Sequence, residues 1–302
     1  MRTQRSRTVL VAGATGMLGR EVVTLLRADG HRVKTLSRDP VRAQELAGLV
    51  DEIVVGDATD PDTLVGAMTG IDGVISCLGA PMAFGRSDRR SFLDIDTVAN
   101  LNLLEAAQRA GVRRFVYVSL LLHSSWAGTT YVRAHEKVVE GLRDSGISYA
   151  VVRPTGMFPV FDPLVSMARR GFAFVPGDGL ARTNPVHPRE VAQVCVDVLG
   201  QTTNVRIPLG GPEVLTRADI VRLAFAAAGR KPRLLHLPRW VLIVLARVIR
   251  RAHPRLAEVT DFTARALTND FLAPTTGTHR LADHFGVAPT TRLPLVTTGS
   301  TT

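Results

Sequence analysis

Short apolar runs alternate with amphipathic stretches along the first half of the chain. Thr8 to Ala12, His31 to Leu36, Glu52 to Val55, Gly73 to Cys77, Arg114 to Val118 and Ser148 to Val152 read as brief buried strands. Between them, Met17 to Ala28, Val41 to Leu46, Pro61 to Met68, Arg90 to Ala110 and Tyr131 to Ser145 carry helical periodicity. Buried strands separated by helices imply βαβ units, and so an α/β chain with a doubly wound parallel sheet. Right-handed crossovers then set all strand carboxyl ends along one edge, where such sheets bind ligands. This part spans residues 1–155. After Arg153-Pro154, prolines and glycines multiply, and helical stretches remain at Glu190 to Leu199, Arg217 to Ala228 and Arg239 to Arg250. Residues 156–290 are expected to form a small mixed C-terminal lobe with elements returning to the sheet, and residues 291–302 a tail.

Composition narrows the class. Of 302 residues, 45% are apolar and 21% charged, a globular mix that excludes whole-chain disorder. Two cysteines, Cys77 and Cys195, supply neither a disulfide framework nor a Cys-rich zinc site, and no metal is assigned. With no secretory signal in the first residues and no apolar run long enough to span a bilayer, the expected compartment is reducing and cytoplasmic. The net charge of +10 is nearly all arginine, lysine occurring only at Lys34, Lys137 and Lys231. Apart from the N-terminal arm and Arg247 to Arg255 these arginines are scattered, which argues against nucleic acid as partner. An anionic cofactor is one explanation of the excess, coding bias the plainer one.

The sharpest local signal is Val9-Leu10-Val11-Ala12-Gly13-Ala14-Thr15-Gly16-Met17-Leu18-Gly19, a strand that runs through three regularly spaced glycines into a helix. Gly13 allows the tight turn, Gly16 close approach to a pyrophosphate and Gly19 helix–strand packing, while free N–H groups at the helix start attract the anion. A strand–helix turn without a ligand is the bland alternative, but the following βαβ units supply the context of a Rossmann dinucleotide site. The second strand ends in Ser37 and Arg38, where an acid would mark NAD, and a guanidinium suits a 2′-phosphate. NADP (NADPH) is therefore expected ahead of NAD. Asp57, ending the third strand, is placed to meet the adenine amine; helix capping before Pro61, its other use, suits Asp60 better.

These segments, with Asn102-Leu103-Leu104-Glu105-Ala106-Ala107, the run Gly111 to Ser119, and Ser148 to Pro154, resemble the atypical and extended branch of the short-chain dehydrogenase/reductase superfamily. The likeness covers about residues 7 to 290, since Gly210 to Thr216 and the next helix resemble that branch's C-terminal lobes. Its members include NmrA-like redox sensors and vinyl reductases. The resemblance implies that Thr15, Met17, Leu18, Ser37, Arg38, Asp57, Ala58, Cys77, Leu78 and Gly79 line the cofactor; the segment Arg153 to Phe158, with Pro154, follows the sixth strand and is expected to border the cofactor's far end. Cys77 is either a nicotinamide-ribose contact or a small buried residue.

Catalytic members of that superfamily use a Tyr, a Lys one helical turn later and a Ser ending the preceding strand. The matching positions are Tyr131, His135 and Ser119, so histidine replaces the lysine. The ammonium normally lowers the tyrosine pKa and holds the nicotinamide ribose; protonated His135 could do so conditionally. Lys137 and Arg133 are off the required face. Either His135 serves, the proton comes from elsewhere, or no chemistry occurs; the bland alternative for Tyr131 is a packing residue at the cleft mouth. His123 and Trp126 follow the fifth strand beside the expected nicotinamide site. His187, before the helix that Glu190 helps to start, is expected to be structural. Trp240 to Ile249, apolar with arginines around it, reads as a lid over an apolar pocket, or else as a dimer or peripheral membrane contact.

The expected activity is NADPH-dependent reduction of a carbonyl or an activated C=C in a largely apolar small molecule. The alternatives are an NAD(P)-binding sensor or assembly protein without net redox turnover, and a cofactor-retaining epimerase, dehydratase or cyclase. Substrate identity and oligomeric state are not legible.

Overall fold

The computed structural model describes residues 6–79, 91–238, 240, 241, 244, 248 and 254–287. Seven parallel strands form its central sheet. They are β1 (Thr8–Ala12), β2 (Arg32–Ser37), β3 (Glu52–Val55), β4 (Gly73–Ser76), β5 (Arg114–Val118), β6 (Ser148–Pro154) and β9 (Val205–Leu209), in the order β3-β2-β1-β4-β5-β6-β9. Strand order reverses between β1 and β4, which opens a crevice at their carboxyl ends. The doubly wound expectation is met.

Strand alternation builds two cores. Val9, Val11, Val116 and Val118 face α1 (Met17–Ala28) and α6 (Pro188–Asp197), packing with Val22, Leu26, Val191 and Cys195. Leu10, Phe115, Tyr117 and Val151 face the other way, against Leu103 and Leu104 of α3 (Val98–Arg109) and Val138 and Leu142 of α4 (Thr130–Asp144). Buried on both faces, these strands carry nearly continuous apolar sequence. The sheet also draws in β9, which pairs with β6 from Ala150↔Val205 to Pro154↔Leu209. It is an edge strand, where Pro208 costs no ladder bond on the open side.

Beyond β6 lie the elements of the second half. Helices α5 (Asp162–Arg169) and α7 (Arg217–Ala227) cover a parallel pair, β7 (Ala173–Pro176) and β11 (Leu234–Leu237), while β8 (Arg182–Thr183) pairs antiparallel with β10 (Leu215–Thr216). A further helix, Pro254–Leu267, packs Val259 and Phe262 against α4. Asn184 ties this half to the sheet end. Its carbonyl accepts from Thr155 Oγ1 (2.6 Å) and Gly211 N–H, and its amide donates to the carbonyls of Gly211 and Ala273.

Some local expectations change. The helix expected over Pro61 to Met68 is one 3-10 turn, Pro61–Leu64, capped by Asp60, and the stretch from Arg90 enters α3 through a π-helical turn, Leu93–Thr97. Within Trp240 to Ile249 only four positions are described, and the tail lies outside the described residues. Among the described residues no helix is long and apolar enough to cross a membrane.

Candidate active site

At the end of β1 the chain turns through Gly13, whose φ of +81° is left-handed. A Cβ there would stand 2.7 Å from the Cys77 carbonyl oxygen, and one on Gly19 would stand 2.2 Å from the Gly13 oxygen. The turn therefore presses β1, β4 and α1 together at backbone distance. Gly16 N-caps α1 with no side-chain cap, and the first turn holds no acid. The first-turn N–H groups, which no helix satisfies from within, stay available to an anion at the carboxyl edge of the sheet.

The other expected cofactor residues surround the same crevice. Cys77 donates its N–H to the Ala12 carbonyl, beside the glycine turn, and burial pushes its thiol up to about 12, so it is a neutral thiol. Leu78 N–H reaches Ser76 Oγ (3.4 Å), and a Cβ on Gly79 would touch nothing. Ala58 is held from α3, Asn102 donating to its carbonyl (3.0 Å). Asp57 accepts from Thr59 N–H and Oγ1, both at 2.9 Å, while Asp60 caps the next turn. Thr15 accepts at its carbonyl from Arg20 Nε. Met17 is half exposed, and Leu18 is buried in the core behind the loop.

Ser37 is buried, and its Oγ donates to the Asp39 carbonyl (3.0 Å). Asp39 spends its carboxylate on α2 (Pro40–Gln44), accepting from Val41 and Arg42 N–H. Arg38 is exposed.

Ser119, Tyr131 and His135 sit at the carboxyl end of β5 and on the facing turns of α4. Ser119 Oγ is buried without a partner. Thr129 caps α4, accepting from Val132 N–H, and so sets the register of Tyr131 and His135. The tyrosine ring is caged by Phe92 (4.7 Å), His135 (4.8 Å) and Phe262 (4.8 Å), all edge to face. Burial, and secondarily the Asp96 carboxylate, raise its pKa.

His135 is turned away from the role of a cation. Its Nδ1 shares a 2.6 Å hydrogen bond with the fully buried Tyr117 hydroxyl of β5, and its Nε2 is buried without a partner. Burial, with the nearby Arg153 guanidinium, lowers its pKa to about 3. A pKa that low leaves the ring neutral at physiological pH, without the charge on which the conditional role of His135 depends. Lys137 and Arg133 are exposed, as their helical phase requires. The buried cation nearby is Arg153 at the end of β6, which bonds both oxygens of Glu136 (2.9 and 3.2 Å).

Tyr117 and Glu136 carried no expectation from the sequence, and Arg153 entered only as the first residue of the segment expected to border the cofactor's far end. A signal existed: a phenol inside a buried strand needs a polar partner, and His135 on the apolar face of a helix needs one too. Trp126, expected to border the nicotinamide, is instead fully buried. It stacks under His123 (4.6 Å), meets Phe271 and donates Nε1–H to the Leu121 carbonyl. Pro154 is buried at the end of β6, its carbonyl accepting from Leu121 N–H. His187 N-caps α6 and stacks on His279 (4.5 Å), while Glu190 accepts from Thr278 N–H, His279 N–H and the His279 ring.

The fold, the glycine turn and the uncapped helix define a dinucleotide site, and comparison with known proteins agrees. A family model described as NAD(P)H-binding matches residues 13–202. The chain belongs to this NAD(P)H-binding family. It is 30% identical to the divinyl chlorophyllide a 8-vinyl-reductase of Zea mays, over 84% of this chain and 68% of that one. It is 29% identical to the NAD(P)H azoreductase of Xenophilus azovorans, over 74% and 75% of the two chains. It is also 26% identical to the photosystem II assembly factor Ycf39 of Guillardia theta, over 78% and 75%. In three dimensions it superposes on the NADPH-dependent quinone oxidoreductase QOR2 of Escherichia coli, complexed with NADPH. There the TM-score is 0.70 at 19% identity, with 92% and 98% of the chains covered, a likeness of fold.

Proposed function

We propose that this protein is an NADPH-dependent reductase whose substrate is a largely apolar molecule carrying an electron-poor, conjugated double bond. The residues at the crevice fit a dinucleotide. The glycine turn leaves room for a pyrophosphate, the first turn of α1 offers unclaimed donors, and Ser119 Oγ and His135 Nε2 are buried polar atoms lacking partners. Cys77, Leu78, Gly79 and Pro154 would flank the nicotinamide half, and Asp57 and Ala58 the adenine. Bound there, reduced nicotinamide supplies hydride.

Preference for NADPH rests on the end of β2. With Asp39 committed to capping α2, no acid there is free to take ribose hydroxyls, and exposed Arg38 suits a 2′-phosphate. Titration calorimetry should give tight NADPH and weak NADH binding. Arg38→Ala should weaken NADPH by about 10- to 100-fold, the worth of a charge-assisted hydrogen bond or two, and leave NADH unchanged.

The observation that carries the substrate class is neutral His135, bonded to Tyr117, at the position where a cation would lower the pKa of Tyr131. Reduction of an isolated ketone needs an acid near the developing alkoxide, and Tyr131 here is a poor one. A conjugated acceptor disperses the charge itself and can take its proton from water. The relatives' names, vinyl reductase and azoreductase, agree with such acceptors. The test is NADPH oxidation against enones, quinones and azo compounds beside simple ketones. Turnover confined to the conjugated set, and surviving Tyr131→Phe, is expected; turnover of simple ketones that Tyr131→Phe abolishes overturns the reading.

A second reading, binding without net turnover, is favoured by the caged Tyr131 and by the assembly-factor relative. Stoichiometric NADPH consumption with product separates the two, and a cofactor-retaining isomerase would leave NADPH unchanged. We place the protein in the cytoplasm, where NADPH is held and Cys77 and Cys195 stay free thiols, as they are in the structure.

A further inference from the structure

The small parallel sheet of β7 and β11 buries one face and bares the other. Ala173 and Val175 point inward against α5 and α7, while Phe172 and Phe174 point out, 39% and 43% exposed. Phe174 stands opposite Leu235, itself 47% exposed, and the two phenylalanine rings meet edge to face at 5.8 Å. Ala173 N–H donates to the Arg233 carbonyl, so Arg233 precedes Leu235 by one pleat and lies level with Phe172. The bare face is thus two rings, an aliphatic side chain and a guanidinium.

Cations frame it. Arg169 and Arg170 end α5, and Arg230 and Lys231 lead into β11, with the Arg230 guanidinium against Gly171. These four and Arg233 are exposed, and among the described residues none of the five forms an ion pair. Neither 163–177 nor 226–238 contains an acid. The nearest, Asp178, accepts from Leu180 N–H. Trp240, two-thirds exposed, follows three residues after β11.

We propose that this face docks the protein on an anionic lipid surface, the rings seated at the headgroup boundary and the five cations on lipid phosphates. Exposed aromatics ringed by unpaired cations are the combination that holds a peripheral protein at an interface. A second copy fits poorly, because a two-fold contact would set five cations against the same five. A protein partner fits less well too, since three apolar side chains are few for the core of a stable interface. The proposal does not depend on the reaction proposed above, though it would bring the enzyme to substrates dissolved in lipid.

The experiment is flotation of the full chain with vesicles of phosphatidylcholine alone or mixed with phosphatidylglycerol. Association with the mixed vesicles only, weakening as salt rises, is expected. Arg230→Gln and Lys231→Gln should each lower the partition about fivefold, and Phe172→Ser/Phe174→Ser about tenfold or more. NADPH titration and thermal midpoint, unchanged in these surface variants, show that the fold is kept. The proposal is overturned if the wild-type chain ignores phosphatidylglycerol vesicles, or if binding survives loss of both phenylalanines. It is overturned equally if those substitutions act only by dissociating a dimer.

Discussion

His135 and Tyr117 form a pair in which each answers the other's burial. Both are deep between β5 and α4, the hydroxyl and Nδ1 2.6 Å apart. Removing one leaves a polar group orphaned in a low-dielectric interior, whereas removing both leaves an apolar contact. Tyr117→Phe or His135→Leu alone should therefore cost about 1–3 kcal/mol in urea unfolding, and the double variant less than the sum. Strict additivity would mean that the bond contributes nothing. The pair also explains why a histidine stands where the resemblance expects lysine. An ammonium at this depth would face Arg153, whose guanidinium already lowers the histidine pKa. His135→Lys should then cost stability without restoring an acidic Tyr131, which absorbance titration of the phenol would check.

At the scale of elements, the glycine turn separates packing from binding. Gly19 belongs to packing: a methyl there meets the Gly13 oxygen at 2.2 Å, so Gly19→Ala should cost about 1–3 kcal/mol by forcing α1 off β1. Gly16 has extended backbone that alanine adopts freely, and its Cβ would meet only the Gly13 oxygen at 3.3 Å. Gly16→Ala should thus hold its thermal midpoint within a few degrees while losing about tenfold or more in NADPH affinity, the methyl occupying room needed by the pyrophosphate. A variant with unchanged affinity would remove Gly16 from the site. The strand pattern and this loop were legible because both are local, period and spacing being enough. What was illegible depends on partners far along the chain. Tyr117 to His135, Arg153 to Glu136 and Phe262 over Tyr131 join separate elements, and β9, with alternate residues exposed and a proline inside, carries too faint a signal to read.

Across the whole molecule, buried ionisable groups confine stability to a middle range of pH. On the acid side, His135 has its pKa lowered by burial to about 3, and burial lowers those of His31 and His187 as well. Asp51 and Asp72 are lowered chiefly by backbone N–H donors, from Val33 and Thr8. For all of these the unfolded chain binds more protons than the folded one, so acid favours unfolding. Their contribution is complete above the unfolded pKa and is lost as pH falls towards the folded one. His135 alone gives a slope approaching 1.4 kcal/mol per pH unit from roughly pH 6 down to its folded pKa. On the alkaline side the sign reverses. Burial raises Cys77 from 9.0 to about 12 and raises Cys195, Tyr117 and Tyr131 as well. Above about pH 9 these groups ionise in the unfolded chain first, and stability falls again. Urea unfolding across pH should trace a plateau with two falling limbs. The His135→Leu variant, though less stable at pH 7, should show a shallower acid limb, because the proton taken up on unfolding is gone. An acid limb of unchanged slope would mean that His135 titrates alike in the folded and unfolded chains, so that the folded imidazole is cationic below about pH 6 and could serve Tyr131 as a cation there.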